Sequence, residues 1–156
     1  MPVLRPLLLV EDNPNDVELT LVALERSRLA NPVVVARDGV EALDILFRRG
    51  NAPEGVSQLP AVVLLDIKLP RVDGLEVLER IRREPRTRNI PVVMLTSSRE
   101  EQDLIRSYGL GVNAFVVKPV GHREFFEAIR DIGAFWAVLN EPPPERASQD
   151  GPDDER

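Results

Sequence analysis

The chain has 156 residues, 43% of them hydrophobic and 29% charged, which suits one domain with a sizeable core. It has no cysteine, so disulfides and thiolate metal sites are excluded. No apolar run approaches the roughly 20 residues of a membrane span, and Glu11 and Asp12 arrive too early for a secretory signal, which points to the cytoplasm. The net charge is −6, and from Asn140 onward six acids face only Arg146 and Arg156. That leaves −2 on the body, and neither part offers the basic surface that nucleic-acid binding requires.

Leu7 to Val10 is a short apolar run ending in Glu11-Asp12, a strand that delivers carboxylates at its C-terminal end. Asn13-Pro14 predicts a helix start, with Asn as N-cap and Pro at the first helical position. Asp16 and Glu18 suit the positive end of that helix dipole, and Val17, Leu21 and Leu24 form its apolar stripe. Asn31-Pro32 breaks it before Val33-Val34-Val35, a β-branched strand. Asp38-Gly39 opens a helix with Leu43, Leu46 and Phe47 on one face, ending at Gly50, and residues 51–60 read as a loop rich in Pro and Gly.

Val62-Val63-Leu64-Leu65 then runs straight into Asp66, the pattern of a strand buried on both faces of a parallel sheet. After Asp73-Gly74 a helix turns Leu75, Leu78 and Ile81 inward and places Arg82-Arg83 at its C-terminus. Pro91 to Leu95 predicts a fourth strand ending in Thr96-Ser97-Ser98, followed by a helix over about 100–108 with Leu104, Ile105 and Tyr108. Phe115-Val116-Val117 is a fifth strand ending in Lys118-Pro119. The last helix, about 122–139, carries two overlapping stripes, Phe125/Ile129/Ile132/Trp136 and Ala128/Ile132/Phe135/Leu139, wider than one sheet face needs. Residues 140–156, with Pro142-Pro143-Pro144 and the acids, read as a disordered tail.

Strands alternating with helices through short connections predict an α/β fold with a parallel sheet and helices on both faces. In such a sheet the strand C-termini share one edge, where ligands bind. Glu11, Asp12, Asp66, Thr96 and Lys118 all fall there. Three adjacent carboxylates repel, so either some protonate or a cation occupies the gap between them. Oxygen ligands without Cys or His suit Mg2+, and with one Lys+ the site becomes roughly neutral and able to take a phosphoryl dianion. Thr96 and Lys118 supply a hydroxyl and a charge for phosphoryl oxygens. Lys118 is one of only two lysines, with Lys68, against eighteen arginines. Arginine does not replace a compact ammonium. Gly109-x-Gly111-x-x-Ala114 has dinucleotide-fingerprint spacing, but it follows a helix and precedes a strand, the reverse of the required context. His122, the single histidine, reads as a surface residue at a helix start.

Glu11-Asp12, the LLDIKLP stretch around Asp66, Thr96 after a strand and Lys118-Pro119 together resemble the receiver domain of two-component response regulators. The resemblance spans about residues 5–139 and implies a flavodoxin-like, doubly wound five-stranded parallel sheet of order 2-1-3-4-5. It implies that Asp66 accepts a phosphoryl group from a histidine kinase. Glu11, Asp12, Asp66 and the backbone carbonyl of Lys68 would hold Mg2+. Thr96 and Phe115 would act as switch residues, though Phe115 reads equally as core. Lys118 would pair with the phosphate, the Lys118-Pro119 bond would be cis, and Lys68 and Ser98 would tune the phosphoryl lifetime.

LTSS, SYGLGVNAFVVKPV, the Phe-rich last helix and the loop before the third strand further resemble single-domain response regulators associated with phytochromes. That likeness implies a bacteriophytochrome as kinase. With no effector domain after residue 139, output would pass through an unknown downstream protein. A homodimer through the last helix and strand, using Phe135 and Trp136, is a further expectation. Two alternatives remain: an Mg2+-dependent phosphatase working through an aspartyl phosphate, and a degenerate receiver serving as a constitutive binding module. The first would need a second aspartate two residues after the nucleophile, where Lys68 stands.

Overall fold

A computed structural model describes residues 5–27, 31–47, 59–119 and 121–139, with side chains in the last helix described through Ile132. The 140–156 tail, the helix end at Gly50, the loop at 51–58 and the side chains of Phe135 and Trp136 lie outside that description.

Five strands and five helices alternate: β1 (Leu7–Val10), α1 (Pro14–Arg26), β2 (Val33–Ala36), α2 (Gly39–Phe47), β3 (Val62–Asp66), α3 (Gly74–Arg83), β4 (Val92–Thr96), α4 (Arg99–Ser107), β5 (Ala114–Val117) and α5 (Arg123–Leu139). All paired strands are parallel and the sheet order is β2-β1-β3-β4-β5, as the resemblance implied. The three central strands are buried at every residue, which is why they read as continuous apolar runs, while edge strands β2 and β5 are mostly half-buried.

Alternate side chains build two cores. Leu8, Val10, Val63, Leu65, Val92 and Met94 pack with Leu46, Leu78, Ile81 and Ile105 of α2, α3 and α4. Leu7, Leu9, Val62, Leu64, Val93 and Leu95 pack with Val17 and Leu24 of α1 and with Phe125 and Ile129 of α5. The period of two along each strand thus feeds both layers.

The helix starts follow local chemistry. The Asn13 side chain accepts the Asp16 N–H, Asp73 that of Glu76, and Ser98 that of Glu101. Helix α4 accordingly begins at Arg99, one residue earlier than periodicity predicts, because Ser98 takes the cap. Only Ile105 is buried on α4; Leu104 and Tyr108 are about half exposed. His122 is exposed, and its carbonyl accepts the Phe125 and Phe126 N–H groups at the start of α5.

Candidate functional site

The strand ends bring Glu11, Asp66, Thr96 and Lys118 to one edge of the sheet. Glu11, Asp66 and Thr96 are buried, while Asp12 is exposed. Lys118 reaches across from the end of β5. Its ammonium lies 2.9 Å from Asp66 Oδ2, 3.0 Å from Glu11 Oε1 and 3.1 Å from Asp16 Oδ2. The Lys118-Pro119 bond is cis, and the Lys118 N–H donates to the Thr96 carbonyl at 2.7 Å. Asp16 was legible only as a helix-dipole residue; its place beside Lys118 has no local sequence signal.

The electrostatics follow from this crowding. Burial, then the nearby Asp66 charge, push Glu11 up from 4.5 to about 7, against the opposing pull of Lys118 and the Asn13 N–H. Burial works to lower the Lys118 pKa, but its bonds to Asp66 and Glu11 outweigh that and raise it, so the ammonium stays charged.

Glu11, Asp12 and Asp66 each offer a carboxylate oxygen within 4.8 Å of one another. Glu11 Oε1 is buried and receives no directed hydrogen bond, although the Lys118 ammonium sits close. Three hard oxygens, one lacking a hydrogen-bond donor, fit a divalent cation better than they fit each other.

The loop after β3 surrounds Asp66. The Lys68 N–H donates to Asp66 Oδ1 at 3.2 Å. The Lys68 ammonium does not point at Asp66 but lies 3.3 Å from Glu101 Oε2 at the start of α4. Arg71, with φ of 71°, lies 3.6 Å from Asp38. Gly74 lies so close under the strand end that a Cβ would fall 2.1 Å from the Asp66 carbonyl oxygen and 2.7 Å from Ile67 Cα. Only glycine allows that approach, and Gly74 N–H donates to the Ile67 carbonyl at 2.9 Å.

Thr96 keeps its hydroxyl within 3.4 Å of Gln102 Nε2, a donor from α4 that the sequence did not single out. Ser98, expected to tune lifetime, caps α4. Phe115 is half-buried, and the Arg106 guanidinium stacks 4.7 Å above its ring.

A five-stranded 2-1-3-4-5 sheet whose edge gathers these acids, a threonine and a lysine defines a response-regulator receiver domain. The family model of that domain matches residues 7–130, and the chain belongs to this family. Among curated relatives, the probable methanogenesis regulatory protein FilR2 of Methanothrix harundinacea is 40% identical over 137 residues, covering 88% of this chain and 86% of that one. The response regulator Rcp1 of Synechocystis sp. is 38% identical over 132 residues, covering 85% and 88%. Its solved Mn(2+)-bound form matches with a TM-score of 0.74 at 36% identity, over 89% of this chain and 96% of that one. The solved bacteriophytochrome response regulator AtBRR is 67% identical, with a TM-score of 0.75, over 90% of this chain and 100% of that one. Proteins of this family are signalling proteins whose receiver domains bind a divalent metal, take a phosphoryl group on an aspartate, and interact with histidine kinases and downstream partners.

Proposed function

We propose that this chain accepts a phosphoryl group on Asp66 from a histidine kinase and signals by changing how it binds a partner protein. The observation that carries this reading is the Lys118 ammonium held at 2.9 Å from Asp66 beside the oxygens of Glu11 and Asp12. A carboxylate oxygen of Asp66 attacks phosphorus, the bond from phosphorus to the donor imidazole breaks, and the imidazole, already protonated on its other ring nitrogen, takes the bonding pair and leaves neutral. Lys118 supplies a fixed positive charge for the phosphoryl oxygens, and the Thr96 hydroxyl turns to donate to one of them. Mg2+, held by Glu11, Asp12, Asp66 and the Lys68 carbonyl, would neutralise charge between acceptor and phosphoryl oxygens.

Output would follow from Thr96 and Phe115, since both contact α4 through Gln102 and Arg106. The phosphoryl group adds about −2 charge and three acceptor oxygens, enough to reweight that contact. The 67% identity to AtBRR supports a bacteriophytochrome as kinase and a cytoplasmic setting. Half-exposed Leu104 on α4, Tyr108 just after it and Val117 on β5 support the homodimer that we infer, for which Phe135 and Trp136 of α5 are further expected interface residues. The receiver unit would run to residue 139 and the acidic tail would solvate it. Lys68 in place of a second aspartate supports a residue that is modified rather than one that turns over substrate.

Incubation with acetyl phosphate and Mg2+, followed by Phos-tag electrophoresis, tests the reading. One stoichiometric label is expected in the wild type and none in Asp66→Asn. A label that persists in that variant, or an unlabelled wild type, overturns it.

A further inference from the structure

Two adjacent residues in the first turn of α4 hold two groups at the acceptor site. Glu101 Oε1 accepts the Ser97 N–H at 2.7 Å, tying the first turn of α4 to the residue after Thr96. Its other oxygen lies 3.3 Å from the Lys68 ammonium. Gln102 donates to the Thr96 hydroxyl at 3.4 Å. The Glu101 side chain is only 14% exposed, whereas that of Lys68 is 77% exposed, so the carboxylate is the fixed member of the pair and the ammonium the movable one. The Lys68 main chain is already anchored on Asp66 Oδ1. Its four-carbon stem therefore pivots from a point beside the acceptor.

We infer that Glu101 is a positioning residue that draws Lys68 away from Asp66 and thereby shortens the life of the aspartyl phosphate. The inference rests on Asp66 being the acceptor. A phosphoryl group there competes with Glu101 for the same ammonium, a dianion against a monoanion. When Lys68 turns to the phosphoryl oxygens, its stem covers the approach of water. When Glu101 holds it, the approach is open. The step controlled is hydrolysis: a water oxygen attacks phosphorus, the bond from phosphorus to the Asp66 oxygen breaks, and the carboxylate is regenerated. Both hydrogens of the water leave with inorganic phosphate, as dihydrogen phosphate. Each transfer of Lys68 also removes a charge partner from the first turn of α4, so lifetime and helix position respond to one ion pair.

Glu101→Gln is the discriminating variant, because its amide oxygen still accepts the Ser97 N–H while the charge that attracts Lys68 is gone. Decay of the label is followed after removal of acetyl phosphate from full-length protein, in wild type, Glu101→Gln, Lys68→Ala and the double variant. Glu101→Gln is expected to slow decay by about two- to fivefold, the range that an exposed ion pair supports. Lys68→Ala is expected to speed it, and adding Glu101→Gln to Lys68→Ala is expected to change nothing further. Equal decay in wild type and Glu101→Gln overturns the inference. So does an effect of Glu101→Gln that persists without Lys68, since that would be helix capping. A wild type that takes no label overturns the acceptor reading itself, and this inference with it.

Discussion

The Lys118 ammonium lies 3.1 Å from Asp16 Oδ2, a carboxylate contributed by the first turn of α1 rather than by a strand end. With Asp66 and Glu11 at 2.9 and 3.0 Å, the ammonium lies within ion-pair distance of three carboxylates. One cation thus stands against Asp16, Glu11 and Asp66, with Asp12 beside them. Removing it leaves buried acids uncompensated, which costs about 3–5 kcal/mol when a buried pair loses one partner. Lys118→Met should lose stability of that order in urea titrations with chelator at about pH 8, and Mg2+ should recover part of it. An unchanged midpoint would mean that Lys118 does not organise these acids.

Glu11 sets a pH dependence in the metal-free protein. Its folded pKa of about 7 lies above the ordinary carboxylate value of 4.5, raised first by burial and then by Asp66. The folded state therefore binds this proton more tightly than the unfolded chain. The resulting stabilisation is complete below the unfolded pKa and is lost as pH rises through about 7. Glu11→Gln cannot titrate. Its stability relative to wild type should rise across that window by roughly 3 kcal/mol at most, at 1.36 kcal/mol per pKa unit. Because a metal bound at this carboxylate would hold its ionised form, Mg2+ should narrow the gap on the alkaline side. Parallel stability curves for the two proteins would remove this account.

These two residues also mark what sequence can and cannot carry. Glu11, Asp66, Thr96 and Lys118 were legible because a buried strand announces itself by an apolar run, and a polar residue ending that run has one place to go, the sheet edge. Asp16 was not, because an acid in a first helical turn already has a sufficient local reason. Lys68 and Glu101 are 33 positions apart and meet only through the β3–β4 pairing and the Ser98 cap. Leu104 and Tyr108 fit an apolar stripe by spacing, yet only Ile105 of α4 enters the core. Periodicity gives a face, not the width of the groove that receives it.

Gly74 shows a different kind of hidden constraint, a glycine needed for closeness. The Cβ of Gly74→Ala would meet main-chain atoms of Asp66 and Ile67, which cannot rotate away as a side chain could. The strand end must shift, and an ångström of misplacement can cost about a hundredfold in rate. Labelling of Gly74→Ala by acetyl phosphate should slow by about tenfold or more on that basis. Gly109→Ala is the control. It has a positive φ of 65° but nothing within 4 Å of an added Cβ. It should lose only about 1–2 kcal/mol of stability and label normally. Equal labelling in both variants would show that the Gly74 contact does not position Asp66.

By position in the sequence Arg82 is a helix-dipole charge, yet its guanidinium joins α3 to two loops. Nε donates to the Leu110 carbonyl at 2.7 Å, one terminal nitrogen to Ile90 at 2.8 Å and Arg88 at 3.2 Å, and the other to Gly111 at 2.7 Å. Burial lowers its pKa, but a guanidinium stays protonated, so the fork keeps its full set of donors. Those carbonyls flank β4 and lead into β5, whose far end carries Lys118. A lysine ammonium keeps the charge but cannot span acceptors set on three sides of a planar group. Arg82→Lys should therefore lose about 2 kcal/mol or more, from carbonyls left without donors, nearly as much as Arg82→Ala. Labelling by acetyl phosphate should survive, because the Arg82 hydrogen bonds go to residues 88, 90, 110, 111 and 113 and none to Asp66. Denaturant titrations of the two variants decide it: a lysine variant as stable as wild type would mean that charge alone, and not the fork, holds these loops.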